Sequence, residues 1–388
     1  MKSHSARAQS LPRSGIREVM EFAAGRPDII KLHVGEPSFR TPEHIIEAAF
    51  RAARDGHTRY TANAGTPELR EAVAARYAPR YGHPVSAAEV LIGAGAVNAI
   101  AAMLFALVEE GEEVLVPDPG WPNYHGQVML AHGVAVPYPL RPENDWLPDV
   151  ADLERLVTPR TKVVILNNPS NPCGVVWPRE TVRAVMEWAD RHDLWVISDE
   201  IYEELVYDGE MVPAASFGKE RTISIGGCSK SYAMTGWRIG WAIADAPLVA
   251  LAGKLQEALV SCPSEVSQEA ALAALTGPQD CVEHMRQAYE ARRDLVRDLL
   301  EPAGLLPTVP QGAFYALVDL RSTTMPSRDA VLRLIEEEGI TLSPGTAFGR
   351  EAEGMARMSL ASSEEDLQAG CERIVRFVER HAAAPAAV

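Results

Sequence analysis

Residues 229–240 read Ser-Lys-Ser-Tyr-Ala-Met-Thr-Gly-Trp-Arg-Ile-Gly, with Arg238 following Lys230 at eight positions. A lysine amine makes a Schiff base with an aldehyde, and a guanidinium clamps a phosphate ester through two parallel hydrogen bonds. Together they suit one small molecule that carries both groups. Taken singly, each would more often be a solvated surface charge. The glycines and aromatics around them, and the turns upstream, favour the site.

Outward from this stretch, apolar runs at 114–116, 163–166, 194–197, 223–225 and 239–243 are bounded by turn residues and read as buried strands. Helical patterns such as 179–192 lie between several of them. Strands alternating with helices predict a mostly parallel sheet with helices on both faces. The last hundred residues change character. A long helix is expected at 282–300, strands at 313–320 and 355–360, and a helix over Glu364–His381. In that last helix Leu367, Cys371, Ile374, Val375 and Val378 recur at helical spacing. The first ten residues and the tail after His381 are expected to fray.

A chain of 388 residues suggests two domains, and 47% apolar content is ample for globular folding. The net charge of −16 argues against nucleic acid and anionic membrane as partners. Cys173, Cys228, Cys262, Cys281 and Cys371 are odd in number and scattered. They read as reduced thiols of a cytoplasmic protein, not as a disulfide framework or a metal site. Residues 1–13 are polar and basic, unlike a secretory signal, and the longest apolar stretch, 99–108, is too short to span a bilayer. A soluble cytoplasmic protein is the expectation.

Four turns upstream carry candidate chemistry. Gly93-Ala94-Gly95-Ala96-Val97 opens a nearly all-apolar helix running to Val108, whose N-terminus can bind phosphate. Pro119-Gly120-Trp121-Pro122-Asn123-Tyr124 puts an aromatic after a strand, where it can stack on a ring or fill the core. Asn167-Asn168-Pro169-Ser170-Asn171-Pro172-Cys173-Gly174 is a turn by composition. Ser198-Asp199-Glu200-Ile201-Tyr202 ends a strand with a carboxylate that can serve a ring nitrogen or cap a helix. Near the C-terminus Arg357, in Met355-Ala356-Arg357-Met358-Ser359-Leu360, offers a fork for a carboxylate.

In this order the segments resemble the class I aminotransferases of fold type I, over roughly residues 14 to 381. The resemblance implies pyridoxal 5'-phosphate (PLP) on Lys230. It also implies a phosphate site of Gly95, Ala96, Val97, Ser229 and Arg238, with Trp121 stacked on the ring. Asp199 would hold the ring nitrogen, and Asn171 and Tyr202 the phenolic oxygen. Lys230, Asp199 and Tyr202 are the implied catalytic groups. Arg357, with Gly35, Trp121 and Asn171, would bind substrate. Gly35 lies in Leu32-His33-Val34-Gly35-Glu36-Pro37. Tyr60 matches a tyrosine that reaches the phosphate of the other subunit, which implies a homodimer with a shared site. Pro344–Gly349 and Gln311-Gly312-Ala313-Phe314-Tyr315 resemble family segments of more structural than chemical content. Two residues depart from the pattern: Cys173 stands where threonine is usual, and Gly227 where many relatives have a phosphate-binding serine. The implied fold is α/β, with a large PLP domain over 46–284 and a smaller α+β domain from 1–45 and 285–388.

The activity expected is amino-group transfer between an amino acid and a 2-oxo acid by a ping-pong mechanism. A PLP-dependent carbon–sulfur β-lyase or related eliminase is the alternative on the same fold. A PLP-sensing regulator is a third reading, and the chain has no room for a DNA-binding segment before Gly15. The donor's identity is not legible in the sequence.

Overall fold

The computed structural model describes residues 4–11, 15–26 and 28–383. Its strands, in chain order, are β1 (Ile30–Lys31), β2 (Val90–Gly93), β3 (Glu113–Asp118), β4 (Val134–Pro139), β5 (Thr161–Asn167) and β6 (Trp195–Asp199). They continue with β7 (Thr222–Gly227), β8 (Gly240–Ile243), β9 (Tyr315–Asp319), β10 (Ile340–Thr341), β11 (Ser343–Pro344) and β12 (Met355–Ser359).

Seven of them form one sheet in the order β2-β8-β7-β6-β5-β3-β4. Pairings from β4 across to β7 are parallel, whereas β8 runs antiparallel to both β7 and β2. Alternation along β5 shows why its run is wholly apolar. Val163 and Ile165 join the core on one face, while Val164 and Leu166 join the core on the other. Both faces are covered, as the apolar runs predict. The edge strand β4 and the reversed direction of β8 were not foreseen.

A smaller unit holds the antiparallel sheet β11-β12-β9. Its core draws Val19 and Leu32 from the start of the chain together with residues from Met285 to Val378. The backbone pairs β1 with β10 in parallel, so the two ends of the chain meet in one unit. Helices Asp280–Leu300 and Glu364–His381 pack in this core through one face each.

Fraying at the start does not hold over Ala6–Ser10, which is helical. Arg7 Nη2 lies 3.0 Å from His132 Nδ1, and Ser10 Oγ donates to the Arg7 carbonyl, which tie it down. Residues 1–3 and 384–388 of the expected frayed ends lie outside the described residues. Among the described residues no helix is long and apolar enough to cross a membrane. No group of three His, Cys, Asp or Glu could hold a metal ion there either.

Candidate active site

Four strands of the large sheet end side by side, β3 at Asp118, β5 at Asn167, β6 at Asp199 and β7 at Gly227. Asn167 pairs with Asp199, and Asp199 with Ile225, so the following loops leave from one edge. From β3 the chain steps outward to β4, then returns to β5 on the other side of β3. That reversal is where open α/β sheets bind ligands. A cavity of about 470 Å³ lies there, and every sequence-predicted site residue except Gly95 and Tyr60 lines it.

Gly95 precedes helix Ala96–Leu107 with φ 86°, a conformation that favours glycine, and no side chain caps the helix. Its first N–H groups have no intrahelical acceptor. Two close approaches fix the turn. A Cβ at Gly240 of β8 would lie 2.4 Å from the Ala96 nitrogen, and one at Gly95 would lie 2.5 Å from Arg238 Nη2. Arg238 Nη1 donates to the Thr235 carbonyl at 2.7 Å. Among the described residues no carboxylate pairs with Arg238. Gly227, the departure noted above, pairs across the sheet with Gly240 of β8: its Cβ would lie 3.1 Å from Gly240 Cα and from Ile201 Cδ1. A side chain there would need its neighbours to give by a few tenths of an ångström.

Asp199 is buried at the tip of β6 and is followed by turns, so it caps no helix. Burial pushes its pKa up to about 6, against the opposing hydrogen bond from Tyr124. Tyr124 Oη donates to Oδ2 at 2.6 Å, and the Ile201 N–H donates to Oδ1 at 3.3 Å. The Trp121 ring meets Tyr124 edge to face, with centroids 5.3 Å apart. Lys230 Nζ donates to the Gly35 carbonyl at 2.7 Å. Tyr202 Oη lies 3.1 Å from Tyr315 Oη, and burial raises the Tyr202 pKa well above the ordinary phenol value.

Arg357, in the middle of β12, is buried at 2% exposure. Its Nη1 donates to Asn171 Oδ1 at 3.0 Å and its Nη2 to the His33 carbonyl at 2.9 Å. Its Cζ lies 4.2 Å from the Tyr315 ring centroid and 4.6 Å from that of Phe348. Its Nε has no partner, and among the described residues no carboxylate pairs with this guanidinium. An uncompensated buried cation is costly unless an anion joins it.

Tyr60 lies outside the cavity and is 88% exposed in the single chain. Several lining residues were not singled out by sequence. Asn167 Oδ1 accepts from the Asn171 N–H at 2.8 Å and so sets the Asn171 turn. Its place four residues before Asn171, at a strand end, was an available signal. Tyr315 belonged to a segment read as structural, yet its hydroxyl meets Tyr202 and its ring lies against Arg357. Tyr124, noted only as near Trp121, holds the Asp199 carboxylate. Ile16 reaches the cavity from the first turn of helix Gly15–Ala23.

PLP fits this donor set. Asp199 has acceptor capacity beyond Tyr124 and Ile201 for a protonated ring nitrogen. Asn171 gives its oxygen to Arg357 and keeps its amide N–H groups to donate. Arg238 and the uncapped helix start face a phosphate's needs. Lys230 brings an amine to the same cavity.

Comparison with known proteins agrees in extent. A family model described as aminotransferase class I and II matches residues 27–374. An aspartate/prephenate aminotransferase of Thermus thermophilus is 38% identical over 387 residues, covering 98% of this chain and 100% of that one. An arginine–pyruvate transaminase of Pseudomonas aeruginosa is 39% identical over 350 residues, covering 89% of each. Among solved structures, the aspartate aminotransferase from Thermus thermophilus with maleate superposes with a TM-score of 0.93 at 38% identity. It covers 97% of this chain and 100% of that one.

Proposed function

The chain belongs to the class I and II aminotransferases and uses PLP, and from that premise we propose which of its residues carry the transfer. When bound, PLP supplies an aldehyde that condenses with amines and a ring that accepts the electron pair released at the substrate's α carbon. Lys230 holds the cofactor, and its freed amine carries the proton to and from that carbon. Asp199 accepts a hydrogen bond from the ring nitrogen and keeps it protonated. Asn171 and Tyr202 donate to the phenolic oxygen, Trp121 covers the ring and excludes water, and Tyr124 orients Asp199. Gly95, Ala96, Val97, Ser229 and Arg238 hold the phosphate. Gly35 lines the substrate side, where Arg357 takes the α-carboxylate of amino acid and 2-oxo acid alike.

The observation that carries this reading is Arg357: a buried guanidinium with an unpartnered Nε and, among the described residues, no carboxylate partner, in one cavity with Lys230. Borohydride reduction of the loaded protein should leave the cofactor on the peptide that contains Lys230. A label on any other lysine overturns the assignment. Arg357→Lys keeps the charge and loses the planar fork, so amino acids and 2-oxo acids should weaken together by about 2 kcal/mol or more at unchanged PLP content. Wild-type affinity for both classes would sink that role.

Two further parts of the proposal concern the whole molecule. The large domain spans 46–284 and the small one 1–45 with 285–388, supported by the shared core of Val19, Leu32 and the C-terminal residues. The enzyme is a homodimer in which Tyr60 reaches the partner's phosphate. Supporting this, Phe50, Tyr60, Leu251, Leu259 and Val260 are exposed apolar side chains. The Tyr60 loop is tied beside helix Ala246–Val260, through Asn63 Nδ2 to Glu257 at 2.7 Å and the Thr61 N–H to Cys262 Sγ at 3.4 Å.

A further inference from the structure

Resting on that reading of the site, we infer that the amino donor carries a neutral, apolar side chain and that aspartate and glutamate are poor donors. Among the described residues three basic side chains line the cavity: Lys230, Arg238 and Arg357. Each is committed. Lys230 is the reacting amine. Arg238 lies against the Gly95 turn that opens helix Ala96–Leu107, where a phosphate is held. Arg357 spends two of its five donors on Asn171 and the His33 carbonyl, and one α-carboxylate takes a further pair. Among the described residues no further guanidinium or ammonium is left in the cavity for a second carboxylate.

The acids that line the cavity add no attraction either. Asp199 is taken by the ring nitrogen in the proposed arrangement. Glu36 accepts a hydrogen bond from Thr235 Oγ1 and pairs with no cation among the described residues. A second carboxylate would enter among anions and lose its hydration without a partner. The rest of the wall carries no charge: Ile16, Val97, Trp121, Ile201 and Tyr315 give it hydrocarbon and aromatic surface, beside neutral polar groups such as Asn123 and Thr235. Ile16 is brought there because Gly15 packs close on Ala347, where a Cβ would lie 3.0 Å from the alanine's own. Burying an aliphatic or aromatic side chain against such a wall is favourable. The relatives do not decide the matter, since at nearly equal identity one is named for aspartate and another for arginine.

The test uses the PLP-loaded enzyme without an acceptor. Leucine, methionine, phenylalanine, aspartate and glutamate are added singly, and the change in visible absorbance is followed at several concentrations. Apolar donors should exceed aspartate and glutamate by on the order of tenfold to a hundredfold in rate per concentration. Unreactive analogues, 3-phenylpropanoate against succinate, are compared by competition and should bind in the same order. Aspartate or glutamate matching the best apolar donor overturns the inference, and so does succinate binding tighter than 3-phenylpropanoate. Either result would mean that a cation from outside this chain's cavity wall completes the pocket, and both leave amino transfer standing. No reaction with any donor, with 3-phenylpropanoate still preferred, would instead support the pocket chemistry and remove the aminotransferase assignment.

Discussion

Burial holds the Asp199 carboxyl near pH 6, against an ordinary 3.8, even though Tyr124 donates to it. The folded protein stripped of PLP therefore binds this proton more tightly than the unfolded chain. Its contribution to stability is full below pH 3.8 and is lost as pH rises through about 6. Two pH units correspond to about 3 kcal/mol. Asp199→Asn in the stripped protein should be more stable than wild type near neutral pH by an amount of that order, with the advantage shrinking toward pH 4. Denaturant melts across this window check it, and parallel curves for the two proteins would refute it. With PLP bound the order reverses, because asparagine offers the ring nitrogen no anion. That Asp199 would face the cavity was legible from its place at a strand end within a motif. Tyr124 as its holder was not, because the contact joins residues 75 positions apart.

At the level of elements, the turn proposed to hold the phosphate depends on how closely β8 approaches helix Ala96–Leu107. Gly240→Ala places a methyl 2.4 Å from the Ala96 nitrogen, so the turn must move. Overpacking of this kind costs about 1–3 kcal/mol, and the cost should appear mainly as weaker PLP binding. Gly236→Ala, with nothing within 4 Å of its Cβ, is the control. Titration of the stripped proteins with PLP should show about tenfold weaker binding or more for Gly240→Ala, with Gly236→Ala unchanged. Equal affinity in all three would mean the turn adapts freely. The strands themselves were readable because both of their faces are buried, giving unbroken apolar runs such as Val163–Leu166. Their order and the reversal of β8 were not, since hydropathy carries no direction.

For the whole molecule, Tyr60 is the discriminating residue: 88% exposed in one chain, yet expected to serve a phosphate. If it serves the partner's site, Tyr60→Ala and Lys230→Ala fall together in one site of a mixed dimer and leave the other intact. Dissociating and reassociating equal amounts should restore about a quarter of wild-type sites, because half the dimers are mixed and each has one intact site. No recovery despite proven subunit exchange would leave Tyr60 a purely local role. The chain sequence by itself determined the α/β class, the lysine–arginine pair and the order of the cofactor turns, because local turn chemistry and apolar runs are properties of neighbouring residues. Only the tertiary structure decided that Arg357 and Asn171, 186 positions apart, share a hydrogen bond, that Tyr315 lies between Tyr202 and Arg357, and that among the described residues Lys230, Arg238 and Arg357 are the basic groups lining the cavity. Those facts arise where β12, β5 and β6 converge on one cavity, and convergence of distant segments is set by packing rather than by any local pattern.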